Sequence, residues 1–197
     1  LEGSVFIAGA AIQWLRDSLK IIDKASDTEK ISQKIPDLEN IYVVPAFAGL
    51  GAPYWDMYSR GAIFGLTRDS GRGEIIKATL ESLAYQTKDV IDAMEEDSNI
   101  KINSLKVDGG ACMNNYLMQF QSDILNCEVT RPKIVESTAM GAGYLAGLKS
   151  DIWDISKIKS NQEIDSTFSP QIKDERRNIL YDGWRDAVKR TFNWVKK

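Results

Sequence analysis

Hydrophobic residues recur at helical spacing in several stretches of this 197-residue chain. In 74–97, for example, Ile76, Leu80 and Leu83 share one face of a helix. The stretches predicted as helices are 10–22, 74–97, 115–125, 137–153 and 174–197. The predicted buried face of the last helix carries Ile179, Leu180, Trp184, Val188, Phe192 and Val195.

Short runs rich in β-branched and aromatic residues lie between these helices and predict strands. The predicted strands are 3–9, 41–47, 62–66, 102–110 and 127–132. Pro45 places the second of them at a sheet edge or bends it, because proline cannot donate to a ladder. Strands that alternate with helices indicate an α/β layered domain. Residues 23–39 predict a loop or weak helix, and 154–170 predicts a flexible connection to the terminal helix 174–197.

Composition narrows the function classes. The formal net charge of −3 and the isoelectric point near 5.2 argue against a nucleic-acid partner. The sequence has no histidine, so imidazole catalysis is excluded, and its two cysteines form neither a zinc motif nor a disulfide framework. Apolar runs fall far short of the roughly 20 residues that a membrane helix needs. We therefore expect a cytoplasmic protein with no membrane partner.

A strand-like run that starts at Leu1 without a methionine suggests a piece of a longer, engineered or natural chain.

The stretch with the most specific chemistry is 107–117, which reads VDGGACMNNYL. A strand there ends at Gly109 and Gly110, and a polar step leads into a helix. Neither a Walker A loop nor a dinucleotide fingerprint is present. The glycines could admit a ligand to the free N–H groups at the helix start. Alternatively, both glycines supply positive φ and Asn114 or Asn115 caps the helix.

Three further motifs favour structural roles. In 61–81, Gly61 and Gly65 bracket a strand and Glu74 lies in the first turn of a helix. The small residues of 136–147 predict close packing against a neighbouring helix or sheet, with a ligand as the alternative. Tyr54 and Trp55 anchor a core or an interface, or else line a cleft.

Six segments in order resemble the C-terminal half of kinases in the FGGY carbohydrate kinase family. They read LEGSVFIAGAAIQWLRD, YVVPAFAGLGAPYWD, RGAIFGLTR, ATLESLAYQTKDV, VDGGACMNNYLMQFQSDIL and STAMGAGYLAGL. Residues 61–81 match the second family signature in full. The sequences GAPYWD and RGAIFGLTR resemble the branch that phosphorylates glycerol more than the xylulose or gluconate branches. Cys112, Met113 and Met140 depart from the small residues usual in the family.

The resemblance implies an actin-like, ribonuclease-H-like α/β domain spanning 1–197, with a mixed sheet flanked by helices. It implies that ATP or ADP, with Mg²⁺ in the full enzyme, contacts Gly9, Gln13, Gly110 and Asn114. Neither a catalytic nor a metal-binding residue is implied, so Asp108 is not assigned to Mg²⁺. The general base and the glycerol site would lie in the missing N-terminal half, and the full-length enzyme would be a homo-oligomer.

Two alternatives stay open from the sequence. The chain could belong to another polyol or sugar kinase of the family, because the substrate residues lie upstream. It could also be a non-catalytic actin-like interaction module, with the terminal helix 174–197 and the aromatic loop as contact surfaces.

Overall fold

A computed structural model describes residues 1–160 and 163–196 of the chain. The strands are β1 Tyr42–Val44, β2 Ala62–Phe64, β3 Ser104–Lys106, β4 Glu128–Pro132 and β5 Ile164–Phe168. The helices are α1 Gly9–Gln13, α2 Asp27–Ser32, α3 Arg72–Ser98, α4 Asn115–Leu125, α5 Ser137–Lys149, α6 Ile155–Ser160 and α7 Asp174–Lys189. A π-helical segment, Trp14–Ser18, continues α1, and a 3₁₀ helix, Gly110–Met113, precedes α4. In the described part of the chain, no helix is long and apolar enough to cross a membrane.

The strands form two small sheets. β1 and β2 are antiparallel, with Val43 opposite Ile63. The second sheet has the order β3-β4-β5 and is mixed, because β3 runs parallel to β4 while β5 runs antiparallel to it. Leu105 pairs with Val129 in the parallel ladder. The predicted α/β class with a mixed sheet is therefore observed.

The 27-residue helix α3 is the centre of the packing. It contacts α2, α4 and β1, which explains why more than one of its faces is apolar. Tyr85 of α3 is buried and stacks on Trp184 of α7, with ring centroids 5.3 Å apart. Ala84 of the same helix packs in a second cluster with Leu117 and Val129. Helix α3 thus joins the core beneath α7 to the core beneath the mixed sheet.

The predicted strand over 3–9 is wrong. This segment is irregular up to the start of α1, and among the described residues it pairs with no strand. Its contacts come from elsewhere: the amide of Gln86 donates to the Ile7 carbonyl at 3.2 Å. The ring of Phe6 covers Gly51, so that a Cβ there would lie 2.7 Å from the ring.

The C-terminal third also departs from the expectation. Where 154–170 predicted a connection, the structure has α6 and the edge strand β5, and residues 161–162 lie outside the described part. Helix α7 ends at Lys189, before the predicted 197. Leu180, Trp184 and Val188 lie on its buried face, while Ile179, Phe192 and Val195 are exposed. The helix proposed as a free contact surface therefore contributes to the core.

Helix α5 does not pack as predicted. Ala139, Ala142, Gly143 and Ala146 are exposed. The close approach in this helix is at Gly147, where a Cβ would lie 2.3 Å from the ring of Trp153.

The segment 61–81 has the predicted structural role. Gly65 has φ +78°, and a Cβ there would lie 1.7 Å from the carbonyl oxygen of Asn40. The Glu74 carboxylate accepts a 2.8 Å hydrogen bond from the backbone N–H of Gly71, just before α3. In the preceding aromatic loop, Tyr54 packs against the core as expected, whereas Trp55 is exposed.

Candidate nucleotide-binding site

The glycine turn lies between β3 and α4 and has an open surface. Gly109 has φ +78°, the left-handed region that glycine tolerates, and its N–H donates to the Val135 carbonyl at 2.8 Å. Gly110 begins the 3₁₀ helix without a positive φ. A Cβ at either position would meet no heavy atom within 4 Å. The expected positive φ thus holds for Gly109 alone, and Gly110 instead leaves space at the surface.

Of the two residues predicted to cap α4, Asn114 and Asn115, Asn114 is the N-cap. Its side-chain oxygen accepts from the backbone N–H of Leu117 at 2.9 Å. Its side-chain nitrogen donates to the hydroxyl of Thr28 at 3.1 Å, so the residue also contacts α2. An amide nitrogen carries two hydrogens, which leaves Asn114 one further donor position.

Arg131 of β4 is hydrogen-bonded to the backbone of the glycine turn. Its guanidinium is buried and donates to the Cys112 carbonyl at 2.8 Å and to the Asn115 side-chain oxygen at 3.0 Å. The same group forms an ion pair with Asp165 of β5 at 2.6 Å. One side chain therefore ties the turn and α4 to the mixed sheet. Burial raises the pKa of the Cys112 thiol, so this cysteine is a poor target for alkylation.

We predict that Arg131→Lys destabilises the protein by about 1–2 kcal/mol, because one ammonium cannot reproduce the planar fork that bonds these groups. Equilibrium urea unfolding would measure the loss. Lys133→Arg is the control, since Lys133 pairs with Glu163 at the exposed surface of the same sheet and should change little. An unchanged stability in Arg131→Lys would contradict the proposed support of the turn.

Helix α1 supplies the other two residues implied by the resemblance. Gly9 is its first residue, and a Cβ there would meet nothing within 4 Å. Gln13 is exposed at the junction with the π-helical segment. Between them, Ala11 packs in one hydrophobic cluster with Cys112 of the glycine turn. Two segments about 100 residues apart in the sequence thus contribute to the same hydrophobic cluster.

Sequence reasoning missed the contribution of α2 to this region. The Glu29 carboxylate accepts from the backbone N–H of Asn115 at 3.1 Å, beside the contact between Thr28 and Asn114. The order Ser26-x-x-Glu29 is a capping-box pattern, and it was the available signal for a helix here. Its side chains point to α4 because α2 packs against both α3 and α4.

A small enclosed cavity lies apart from the glycine turn. Its volume is about 20 Å³, which suits a single water molecule. Its walls include Phe6, Leu50, Tyr54 and the carboxylate of Asp89. This cavity is too small for a nucleotide. A larger, open depression of about 400 Å³ is lined by Asp92, Glu95, Glu96, Asn99, Ile100 and Lys101, and its three carboxylates disfavour phosphate groups.

Known proteins resemble this chain along its whole length. The family model described as the FGGY family of carbohydrate kinases, C-terminal domain, matches residues 1–150. The chain belongs to this family. As an FGGY domain it is 59% identical over 198 residues to glycerol kinase from Alkaliphilus oremlandii and 57% identical over 196 residues to that from Natranaerobius thermophilus. Both alignments cover 100% of this chain and 39% of the relative, so the chain spans about two fifths of these relatives.

Solved structures show the actin-like ATPase fold that the sequence predicted for this FGGY domain. Plasmodium falciparum glycerol kinase with ADP superposes with a TM-score of 0.85 at 36% identity, covering 93% of this chain and 37% of that one. A ligand-bound xylulose kinase from Lactobacillus acidophilus has a TM-score of 0.74 at 24% identity, covering 94% and 39%. The latter supports the fold alone.

Proposed function

We propose that this chain is the nucleotide-side domain of an ATP-dependent glycerol kinase, which converts glycerol to glycerol 3-phosphate. The supporting observation is the identity of 57–59% to glycerol kinases along the whole chain. The structural likeness agrees, since the TM-score falls from 0.85 for the glycerol kinase with ADP to 0.74 for the xylulose kinase. Another sugar or polyol kinase of the family is the alternative.

Gly9, Gln13, Gly110 and Asn114 are the residues proposed to contact ATP or ADP. The open space at Gly9 and Gly110 fits a flat ligand close to the backbone, because neither position carries a side chain. Gln13 is exposed on the same helix as Gly9, and Asn114 has one further donor position that a polar ligand atom can use. The described residues contain no cluster of acidic or cysteine side chains suited to a metal. In the full-length enzyme, Mg²⁺ is proposed to accompany the phosphates of ATP.

The chemistry is assigned to the part of the protein outside this chain. There, an aspartate would take the proton of the glycerol hydroxyl before that oxygen attacks the γ-phosphoryl group. This domain would hold the nucleotide and close over it, excluding water. Alone it is expected to be inactive. The full-length protein is proposed to be a cytoplasmic homo-oligomer, with no nucleic-acid or membrane partner.

The substrate assignment can be tested with the full-length kinase. We expect kcat/KM for glycerol to exceed that for xylulose or gluconate by about 100-fold, because a site that hydrogen-bonds one polyol leaves polar groups unpaired with another. The measurement is ADP release coupled to NADH oxidation, with each candidate substrate at several concentrations. A higher kcat/KM for either sugar substrate would replace glycerol kinase by the corresponding kinase of the family.

A further inference from the structure

A buried carboxylate of α3, Glu81, is left unused by the proposed nucleotide contacts. The side chain is almost fully buried and accepts a 2.5 Å hydrogen bond from the hydroxyl of Tyr116. A hydrogen bond to an ionised carboxylate is roughly twice as strong as one between neutral groups. A bond of this kind inside the protein fixes the two helices that carry its partners.

Tyr116 lies in the first turn of α4, two residues after Asn114. Its ring also stacks on that of Phe120, with centroids 6.3 Å apart. Because the hydroxyl is held by α3, the start of α4 cannot move far relative to that helix. Asn114, which caps the same turn, is therefore fixed by the same bond.

Lys77 lies one turn before Glu81 on α3 and binds the segment that follows α2. Its ammonium is buried, donates to the carbonyls of Ile35 and Pro36 at 2.9 and 3.0 Å, and lies 5.3 Å from the ring centroid of Tyr116. These carbonyls follow α2, which contacts Asn114 through Thr28. One segment of α3 therefore anchors both elements that surround Asn114.

We propose that Glu81, acting through the Tyr116 hydroxyl and with Lys77 beside it, is a positioning residue for the glycine turn and sets the nucleotide affinity of the kinase. This inference rests on the proposed nucleotide site. Neither Glu81 nor Lys77 touches the nucleotide in this assignment, since both side chains are buried. Their effect reaches the ligand through the position of Asn114.

The charges around Glu81 determine when this bond is strongest. Desolvation by burial raises the pKa of Glu81 to about 7, although the Tyr116 hydrogen bond and the positive charge of Lys77 lower it. The titratable and charged groups that face Glu81 are Tyr116, Lys77, Asp37, Arg176, Tyr42 and Tyr85. The ionised fraction of Glu81 therefore rises through neutral pH. The hydrogen bond from Tyr116 is therefore stronger on the alkaline side.

The test compares two tyrosine variants of the full-length kinase. Tyr116→Phe should raise KM for ATP about fivefold with little change in kcat, because it removes the bond that positions Asn114. Tyr181→Phe is the matched control, since Tyr181 donates a 2.7 Å bond to another buried α3 carboxylate, Asp89. We expect comparable losses of thermal stability in both variants. Equal changes of KM in the two would show a general loss of rigidity and overturn the proposal.

The pH dependence supplies a second readout. The ratio of KM for ATP between Glu81→Gln and the unchanged enzyme should rise about threefold from pH 6 to pH 8, because Gln stays neutral while Glu ionises. Titration of ATP itself cancels in this ratio. A ratio close to one at both pH values would overturn the role of Glu81.

A fourth variant, Gly110→Ala, separates the proposed nucleotide site from the proposed positioning role of Glu81. If Gly110→Ala leaves KM for ATP unchanged, the nucleotide site itself is misplaced and the positioning inference falls with it. If Gly110→Ala weakens ATP binding while Tyr116→Phe does not, the site stands and the positioning role of Glu81 is wrong.

Discussion

Gly110→Ala should raise KM for ATP of the full-length kinase by about 100-fold, corresponding to about 2.7 kcal/mol, while leaving the fold intact. The added methyl group would occupy the space in which the nucleotide is proposed to lie against the turn. In the protein itself the methyl group meets no heavy atom within 4 Å, and the backbone there has no positive φ. Replacing glycine at such a position usually stabilises a protein slightly, by reducing the entropy of the unfolded chain.

Steady-state kinetics with varied ATP at saturating glycerol would measure the effect, with thermal unfolding as the check on the fold. Gly71→Ala is the control, because a Cβ there would make an ordinary contact with the Glu74 carboxylate at 3.5 Å. The control should keep KM for ATP within about twofold. An ATP affinity that survives Gly110→Ala would contradict the assignment of the glycine turn to the nucleotide.

The sequence predicted those elements of the fold whose hydrophobic pattern is decided locally. Helix α3 was expected over 74–97 and is observed over Arg72–Ser98, since apolar residues recur at helical spacing along this segment. Helix α4 was expected over 115–125 and matches, because Asn114 both ends the preceding turn and caps the helix. In both cases the residues that specify the element lie within it or next to it.

Elements that depend on distant partners were not predictable in the same way. The segment 3–9 has the composition of a strand, but pairing needs a neighbouring strand, which the described structure does not place beside it. Conversely, Ile164–Phe168 has a polar composition and still pairs with β4, because Arg131 binds Asp165 across the ladder. Composition alone cannot report such a partner 34 residues away.

The candidate site also has parts that the local sequence predicts and parts that depend on distant contacts. A local sequence motif predicted the glycine turn and the cap. The family resemblance added Gly9 and Gln13, whose segment has no recognisable local motif. The contact of Thr28 with Asn114 spans 86 residues, and the buried bond from Tyr116 to Glu81 spans 35. A single sequence carries no signal for either pairing, since each requires that α2, α3 and α4 be packed together first.

Trp184→Ala should cost about 3–5 kcal/mol of unfolding free energy, the largest loss that we predict for this domain. The indole is fully buried between α7 and α3, stacks on Tyr85, and donates a 2.8 Å hydrogen bond to Asp89. Truncation would leave a cavity and remove one of the donors that hold this carboxylate. Burial raises the pKa of Asp89 to about 6 in the folded protein, so the folded state favours its neutral form.

The loss from Trp184→Ala should therefore be larger at pH 8 than at pH 5, because the charged carboxylate then loses a donor on which its solvation depends. Urea unfolding followed by far-ultraviolet circular dichroism at both pH values would measure it. Trp194→Ala is the matched control: Trp194 is 70% exposed, and its removal should change stability by about 0.5 kcal/mol or less. Equal losses from the two variants would mean that α7 does not hold its indole in the core between Tyr85 and Asp89, and the packing of the terminal helix described here would be wrong.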